Sequence, residues 1–178
     1  MTEADFIFKI SIIGNGKVGK TSLIQQYTHA TFQNAYIKTI GAQFSTYNEE
    51  LDGLNCKLTL WDIAGQDDHF FLRPAFYKGS SICIIVFSLE DSDHGKESIE
   101  SIKAWKNDIQ KYCGKIPIFL FGNKADLVDE SNLDEDSIQK LIKKQKIIDW
   151  FKTSAKTGDN VKHVFQKTAE IVSKFKDQ

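Results

Sequence analysis

FIFKISIIGNGKVGKTSL, from Phe6 to Leu23, determines how the rest of the chain is read. Its first half is β-branched and nearly all apolar, as a strand buried on both faces requires. Three glycines and two lysines follow within eight residues, Gly14 to Thr21. Gly14, Gly19, Lys20 and Thr21 satisfy G-x-x-x-x-G-K-[ST] between a strand and an amphipathic helix, the context in which that pattern holds phosphate. The glycines let the N–H groups of the loop, Asn15, Gly16, Lys17, Val18 and Gly19 and on into Lys20, Thr21 and Ser22, curl into an anion nest at a helix N-terminus. Lys20 is expected to bridge β- and γ-phosphates, and the Thr21 hydroxyl to coordinate Mg²⁺. A glycine-rich turn is the competing reading, and the loop alone does not choose between ATP and GTP. Lys17 is expected to point toward solvent near the phosphates without straining the loop.

The rest of the chain suits that beginning. With 178 residues, one domain over 1–178 is expected, its core from about 6 to 175. A net charge of −1 gives no electrostatic case for nucleic acid or anionic lipid as a partner. Cys56, Cys83 and Cys113 have neither metal-ligand spacing nor an even count, which fits a reducing, cytoplasmic setting. The acidic MTEADF start is no secretory signal, and Thr2 excludes the myristoylation pattern. The apolar run Ile82 to Phe87 is too short to span a bilayer. The last cysteine is Cys113, so no lipid anchor is expected in this chain. It is expected to be a cytoplasmic monomer, peripheral to membranes if a tail has been removed.

Short apolar runs alternate with segments of helical period, the signature of a doubly wound, mostly parallel sheet. AQFSTYNEEL and NCKLTLWD flank Asp52-Gly53, a hairpin signal, so one antiparallel edge strand is expected. SICIIVFSL, IPIFLFG and KIIDWF supply further strands, for six strands and about five helices. Ile99, Ile102, Trp105, Ile109 and Tyr112 mark one helix, and Val161, Val164, Phe165, Thr168, Val172 and Phe175 the last. KLIKKQK, Lys140 to Lys146, reads as a solvated helix face.

Such sheets bind ligands at the carboxyl ends of their strands, where two further groups of residues are expected. Asp62, ending the strand KLTLWD, can hold Mg²⁺ through water from the side opposite the loop. Gly65 can offer an N–H to a γ-phosphate, and Gln66 can orient an attacking water. After IPIFLFG, Asp126 of NKAD can accept from the N1–H and exocyclic amine of guanine, whereas adenine would leave that carboxylate unpaired. TSAKTG, Thr153 to Gly158, is placed to present the Ala155 N–H to the guanine oxygen.

The ordered set GNGKVGKT, KTIG, WDIAGQ, NKAD and SAK resembles a Ras-superfamily small GTPase over almost the entire chain. WDIAGQ, TIGAQF and FYKGSS are most similar to the Rab family. The resemblance implies a P-loop G domain that binds GTP and GDP with Mg²⁺, hydrolyses GTP slowly and acts as a switch. It implies that Thr39 reaches both metal and γ-phosphate, that Tyr36 covers the phosphates and that Phe32 packs on the guanine edge. Asn123 would brace the loops, the Lys124 stem would cover the base, and Ser154 and Lys156 would flank Ala155. Ile40, Phe44, Trp61 and Phe76 would face effectors, with core packing the competing reading for the aromatics. An effector, an exchange factor and a GTPase activator are implied through the switch regions.

Lys17, Ile63, Asp67 and Lys152 depart from the family pattern without removing an expected ligand. Arg73, the one arginine, lies downstream of Gln66 and is expected to be poorly placed for the γ-phosphate. Two rival readings are a guanine-nucleotide module with negligible turnover, against which Gln66 stands, and an ATPase or kinase, against which Asp126 stands.

Overall fold

A computed structural model describes residues 4–29, 37–39, 41–51, 53–65, 71–129, 131 and 133–176. The strands are β1 (Phe6–Ile13), β2 (Ile37–Thr39), β3 (Ala42–Leu51), β4 (Leu54–Ile63), β5 (Ile82–Ser88), β6 (Ile118–Asn123) and β7 (Asp149–Lys152). Among the described residues they form one sheet in the order β2-β3-β4-β1-β5-β6-β7. β1 is parallel to both β4 and β5, and β6 is parallel to β5 and β7. β3 pairs antiparallel with β4 and with β2. It is the reversed strand expected of the hairpin, but the edge is β2. Three residues are too few to show a strand period, which is why β2 is a seventh strand beyond the six expected.

The helices are α1 (Lys20–His29), α2 (Arg73–Tyr77), α3 (Asp93–Glu100), α4 (Ile102–Cys113), α5 (Glu135–Gln145) and α6 (Val161–Lys176). The single helix expected around Ile99 to Tyr112 divides at Ser101 into α3 and α4. The Ser101 hydroxyl donates to the Glu97 carbonyl one turn back (2.7 Å), a bond that bends helices.

Alternation along the central strands divides the core between the two faces of the sheet. Ile82, Ile84 and Val86 of β5 join Phe119 and Phe121 against α1 and α6, where Leu23, Tyr27, Val164, Phe165 and Val172 are buried. Cys83, Ile85 and Phe87 face the other way, onto Tyr77 of α2, Ile102, Trp105 and Ile109 of α4, and Ile138 and Ile142 of α5. Both faces being covered explains the unbroken apolar runs. The Phe175 side chain lies outside the described residues. Lys140, Lys143, Lys144 and Lys146 are exposed, as a solvated face requires.

The topology positions the site. The chain leaves β1, builds β2 to β4 on one side, then crosses to β5 on the other. The crevice at this reversal opens at the carboxyl ends of the strands, as in other doubly wound sheets. Gly14, Asp62, Asn123 and Thr153 all lie at those ends.

Candidate functional site

The loop after β1 turns sharply because Gly14 and Gly19 take φ values of 136° and 99°. A Cβ on Gly14 would overlap the Val86 carbonyl oxygen of β5, and one on Gly19 would overlap the Asn123 amide. Lys17 also lies in the left-handed region, at φ 62°. It was expected to leave the loop unstrained, yet a side chain there brings Cβ against the backbone and costs roughly 1–2 kcal/mol.

Lys20 begins α1 and is 6% exposed. Its ammonium donates to the carbonyls of Gly14 and Asn15, both at 2.8 Å. Burial pushes its pKa down to about 8, opposed by the Asp62 charge and reinforced by Arg73. The Thr21 hydroxyl donates to Asp62 Oδ2 across the crevice. Asp62 is itself buried, which raises its pKa against the Thr21 bond and the Lys20 charge. Two oxygen groups meeting in this way suit a hard divalent cation. Beside them the side-chain oxygen of Gln43 is buried and has no hydrogen-bond partner among the described residues. Among those residues no cluster of three His, Cys, Asp or Glu groups offers another metal site. Thr39 closes β2, paired with Ala42, while its side chain lies outside the described residues. Gly65 sits on the loop so closely that a Cβ would strike the backbone of Gly14 to Gly16. Gln66, Phe32, Tyr36 and Ile40 lie outside the described residues, as does Asp67.

At the other end of the crevice Asn123 joins three segments. Its amide donates to the Val18 carbonyl at 2.9 Å, and its oxygen accepts from the Ala155 N–H at 3.0 Å and the Thr153 hydroxyl at 3.4 Å. The Ala155 N–H, expected to face the base oxygen, is therefore spent on Asn123, because a sheltered donor pairs with the nearest acceptor. The Ser154 hydroxyl donates to Asp126 Oδ1 at 2.6 Å. Lys156 stands 3.9 Å from the second Asp126 oxygen and is largely exposed. Lys124, at φ 66°, pairs with Glu90 at 3.1 Å. Lys17, Gly19, Ser22, Asn123, Lys124, Asp126, Ala155 and Lys156 line one cleft of about 460 Å³.

Some of the supports were not legible in sequence. The Trp105 indole N–H donates to Asn15 Oδ1 at 2.7 Å, and the Asn15 amide to the Ser101 hydroxyl at 3.2 Å. The sequence places Trp105 on a helix stripe, which accounts for its ring but not for its N–H. Arg73 is buried, its guanidinium 4.5 Å from the Trp105 ring centroid and 3.8 Å from Asp108. It lines a cleft of about 610 Å³ together with Asn15, Gly16, Lys17 and Gly65. It is nearer the phosphate loop than its place downstream of Gln66 suggested, because the Trp105 face and Asp108 draw it inward. Phe44, Trp61 and Phe76 form a half-buried row with centroids 5.5 and 6.3 Å apart, and Lys9 sits 4.0 Å over Trp61.

A family model described as Ras family matches residues 9–174. The chain is 34% identical over 178 residues to the GTP-binding protein YPT1 of Saccharomyces cerevisiae, covering 99% of this chain and 84% of that one. It is 33% identical over 178 residues to the Ras-related protein Rab-7a of Paramecium octaurelia, covering 97% and 84%. To the GTP-binding protein ypt1 of Schizosaccharomyces pombe it is 35% identical over 164 residues, covering 92% and 78%.

Proposed function

The chain belongs to the Ras family and is a Rab-like small GTPase, a GTP hydrolase acting as a nucleotide-dependent switch, and from that premise we propose which of its residues do the work. The whole of 1–178 is read as one G domain. The observation that carries the reading is the Asn123 side chain, bonded at once to the Val18 carbonyl of the phosphate loop and to the Ala155 N–H of the base loop. It links the phosphate loop to the base loop.

Asp126, steadied by Ser154, accepts from the N1–H and amine of guanine. Ala155 exchanges Asn123 for the base oxygen, while the stems of Lys124 and Lys156 flank the ring. The N–H groups from Asn15 to Ser22 surround the phosphates. Lys20, bonded to the Gly14 and Asn15 carbonyls, offers its third N–H to the β- and γ-phosphates. Thr21, Thr39 and, through water, Asp62 would hold Mg²⁺, which when bound neutralises charge developing on the phosphate oxygens. Gly65 bonds the γ-phosphate, and Gln66 orients the attacking water. These roles follow the Ras-type template of positioning and charge stabilisation, with no covalent intermediate. Hydrolysis is slow until a partner fixes Gln66 or adds a cation.

Membership of the family implies effectors, exchange factors and GTPase activators in general. We assign them to the segment around Ile40 and the Phe44, Trp61 and Phe76 row, and take the protein as a monomer. No helix among the described residues is long and apolar enough to cross a membrane. A cytoplasmic location with peripheral contact to membranes fits a Rab-like protein.

The test is to denature the purified protein and identify the released nucleotide, then to follow one turnover of bound GTP. Guanine nucleotide and slow phosphate release are expected. Adenine nucleotide would overturn the base assignment, and no phosphate release would leave a binding module.

A further inference from the structure

We propose that Glu90 is a positioning residue for the guanine base: it anchors the Lys124 ammonium and so holds the Lys124 stem along the ring. The inference rests on the reading of Lys124 as a flank of the base. Lys124 Nζ donates to Glu90 Oε1 at 3.1 Å, and the two side chains are only 24% and 23% exposed. The two residues follow the ends of neighbouring parallel strands, Glu90 after β5 and Lys124 after β6. Between them the Leu89 N–H donates to the Asn123 carbonyl at 2.9 Å and fastens the strand ends together. Glu90 is fixed in turn. Its carbonyl accepts from the Ser92 N–H at 2.9 Å, and Gly95 of α3 packs so close to that carbonyl that a Cβ would overlap it.

Lys124 and Asp126 line the base cleft, whereas Glu90 lines a separate groove between α3 and α5. Glu90 therefore acts on the base through the lysine and not by touching it. A lysine stem with a free end is flexible and loses that freedom when a base is laid against it. Anchoring the ammonium on Glu90 removes the freedom in the folded protein, before the nucleotide arrives. The anchor also decides where the ammonium goes. Among the described residues Asp126 is the one carboxylate lining the base cleft, and its oxygens are the acceptors for guanine. A Lys124 without Glu90 would compete with the base for them. An ion pair this sheltered is screened by salt much less than an exposed one, so the anchor holds at physiological ionic strength.

The experiment follows association and dissociation of mant-GDP with the full chain at fixed free Mg²⁺, the ratio of the two rates giving the affinity. Glu90→Met keeps the length of the side chain and removes the acceptor. Its affinity is expected to fall about 2- to 10-fold, the cost of immobilising one flexible side chain on binding. Lys124→Met is expected to fall at least as far. Adding Glu90→Met to Lys124→Met should then lower the affinity no further, because the carboxylate has lost the group it acts through. A glutamate that merely supported the fold would lower the affinity in both backgrounds. If Glu90→Met does not fold, Glu90→Ala is expected to show the same loss and the same dependence on Lys124. Unchanged affinity in the Met or Ala variant, or a further loss in the double variant, overturns the inference. Lys124→Ala, which removes the stem, separates the two failures: a loss there with none in Glu90→Met rejects Glu90 alone. Wild-type affinity in Lys124→Ala rejects the stem on the base and Glu90 with it.

Discussion

At the base end of the cleft, Ser154 holds Asp126 and Asn123 holds the Val18 carbonyl, bonds that join one part of the cleft to another. At the phosphate end, Lys20 is bonded to its own loop carbonyls and Thr21 to Asp62. Most of the base-end bonds can persist with a nucleotide in place, the Ala155 N–H being the exception. At the phosphate end the Lys20 ammonium keeps one of its three donors, and the Thr21 oxygen keeps its lone pairs after donating to Asp62, so both can add a ligand without losing the bonds they have. On the proposed roles, the base end reads the identity of the nucleotide and the phosphate end meets its charge.

The sharpest way to break this contrast is Asp126→Asn. It exchanges an acceptor for a donor against the guanine edge while leaving an oxygen for Ser154. Affinity for GTP should fall about 10⁴-fold, with xanthosine triphosphate preferred instead. Urea stability should change by only about 1 kcal/mol. Nucleotide titrations and urea melts check both, and retained GTP preference would remove the base end from the argument.

At the phosphate end the prediction concerns protons. Burial disfavours the Lys20 cation and pushes its pKa down to about 8, below the ordinary lysine value. Phosphate charge favours the cation and raises the pKa. Binding at pH 8 should then take up about half a proton, since a group at its pKa is half protonated. Affinity should be fully developed below this value and decline as pH rises through it. Calorimetry in buffers of different ionisation enthalpy measures the uptake, and none at pH 8 would mean that Lys20 stays a cation throughout.

Two smaller effects sharpen the border between the ends, where Lys17 lines both clefts. Lys17→Gly relieves a left-handed side chain and should stabilise the fold by about 1 kcal/mol, a rise in Tm of roughly 2–4 °C. Its nucleotide affinity should barely change, and a large loss would place the Lys17 ammonium on phosphate. Lys156→Ala should be the mildest. Its ammonium is mostly exposed and 3.9 Å from Asp126, so GDP affinity should stay within ~2-fold in the same titration.

Much of this is legible in the amino-acid sequence. Strand runs and helical stripes located six strands, and Gly14, Asp62, Asn123 and Thr153 fell at strand ends because motifs of this fold sit where strands stop. What was not legible depends on pairs far apart in sequence. Asn15 and Trp105 are 90 residues apart, and an aromatic in a helix stripe gives no sign of where its N–H points. Arg73 could be assigned to a helix, but not to the face of Trp105. Gln43 reads as an ordinary strand residue until the β3–β4 register sets it opposite Asp62. The backbone angle of Lys17 is equally hidden, since a lysine in a loop does not advertise a conformation that glycine favours.

The indole bond between Trp105 and Asn15 also makes the phosphate loop visible to light. A buried tryptophan whose N–H ends on a loop carbonyl-type oxygen has an emission maximum set by that bond and by the water that replaces it. Trp61 lies on the β3–β4 face and Trp150 on β7, so replacing both with phenylalanine leaves one emitter at the loop. Exchange of GDP for GTP is expected to shift that emission maximum, which stopped-flow fluorescence of the double variant checks with no label on the nucleotide.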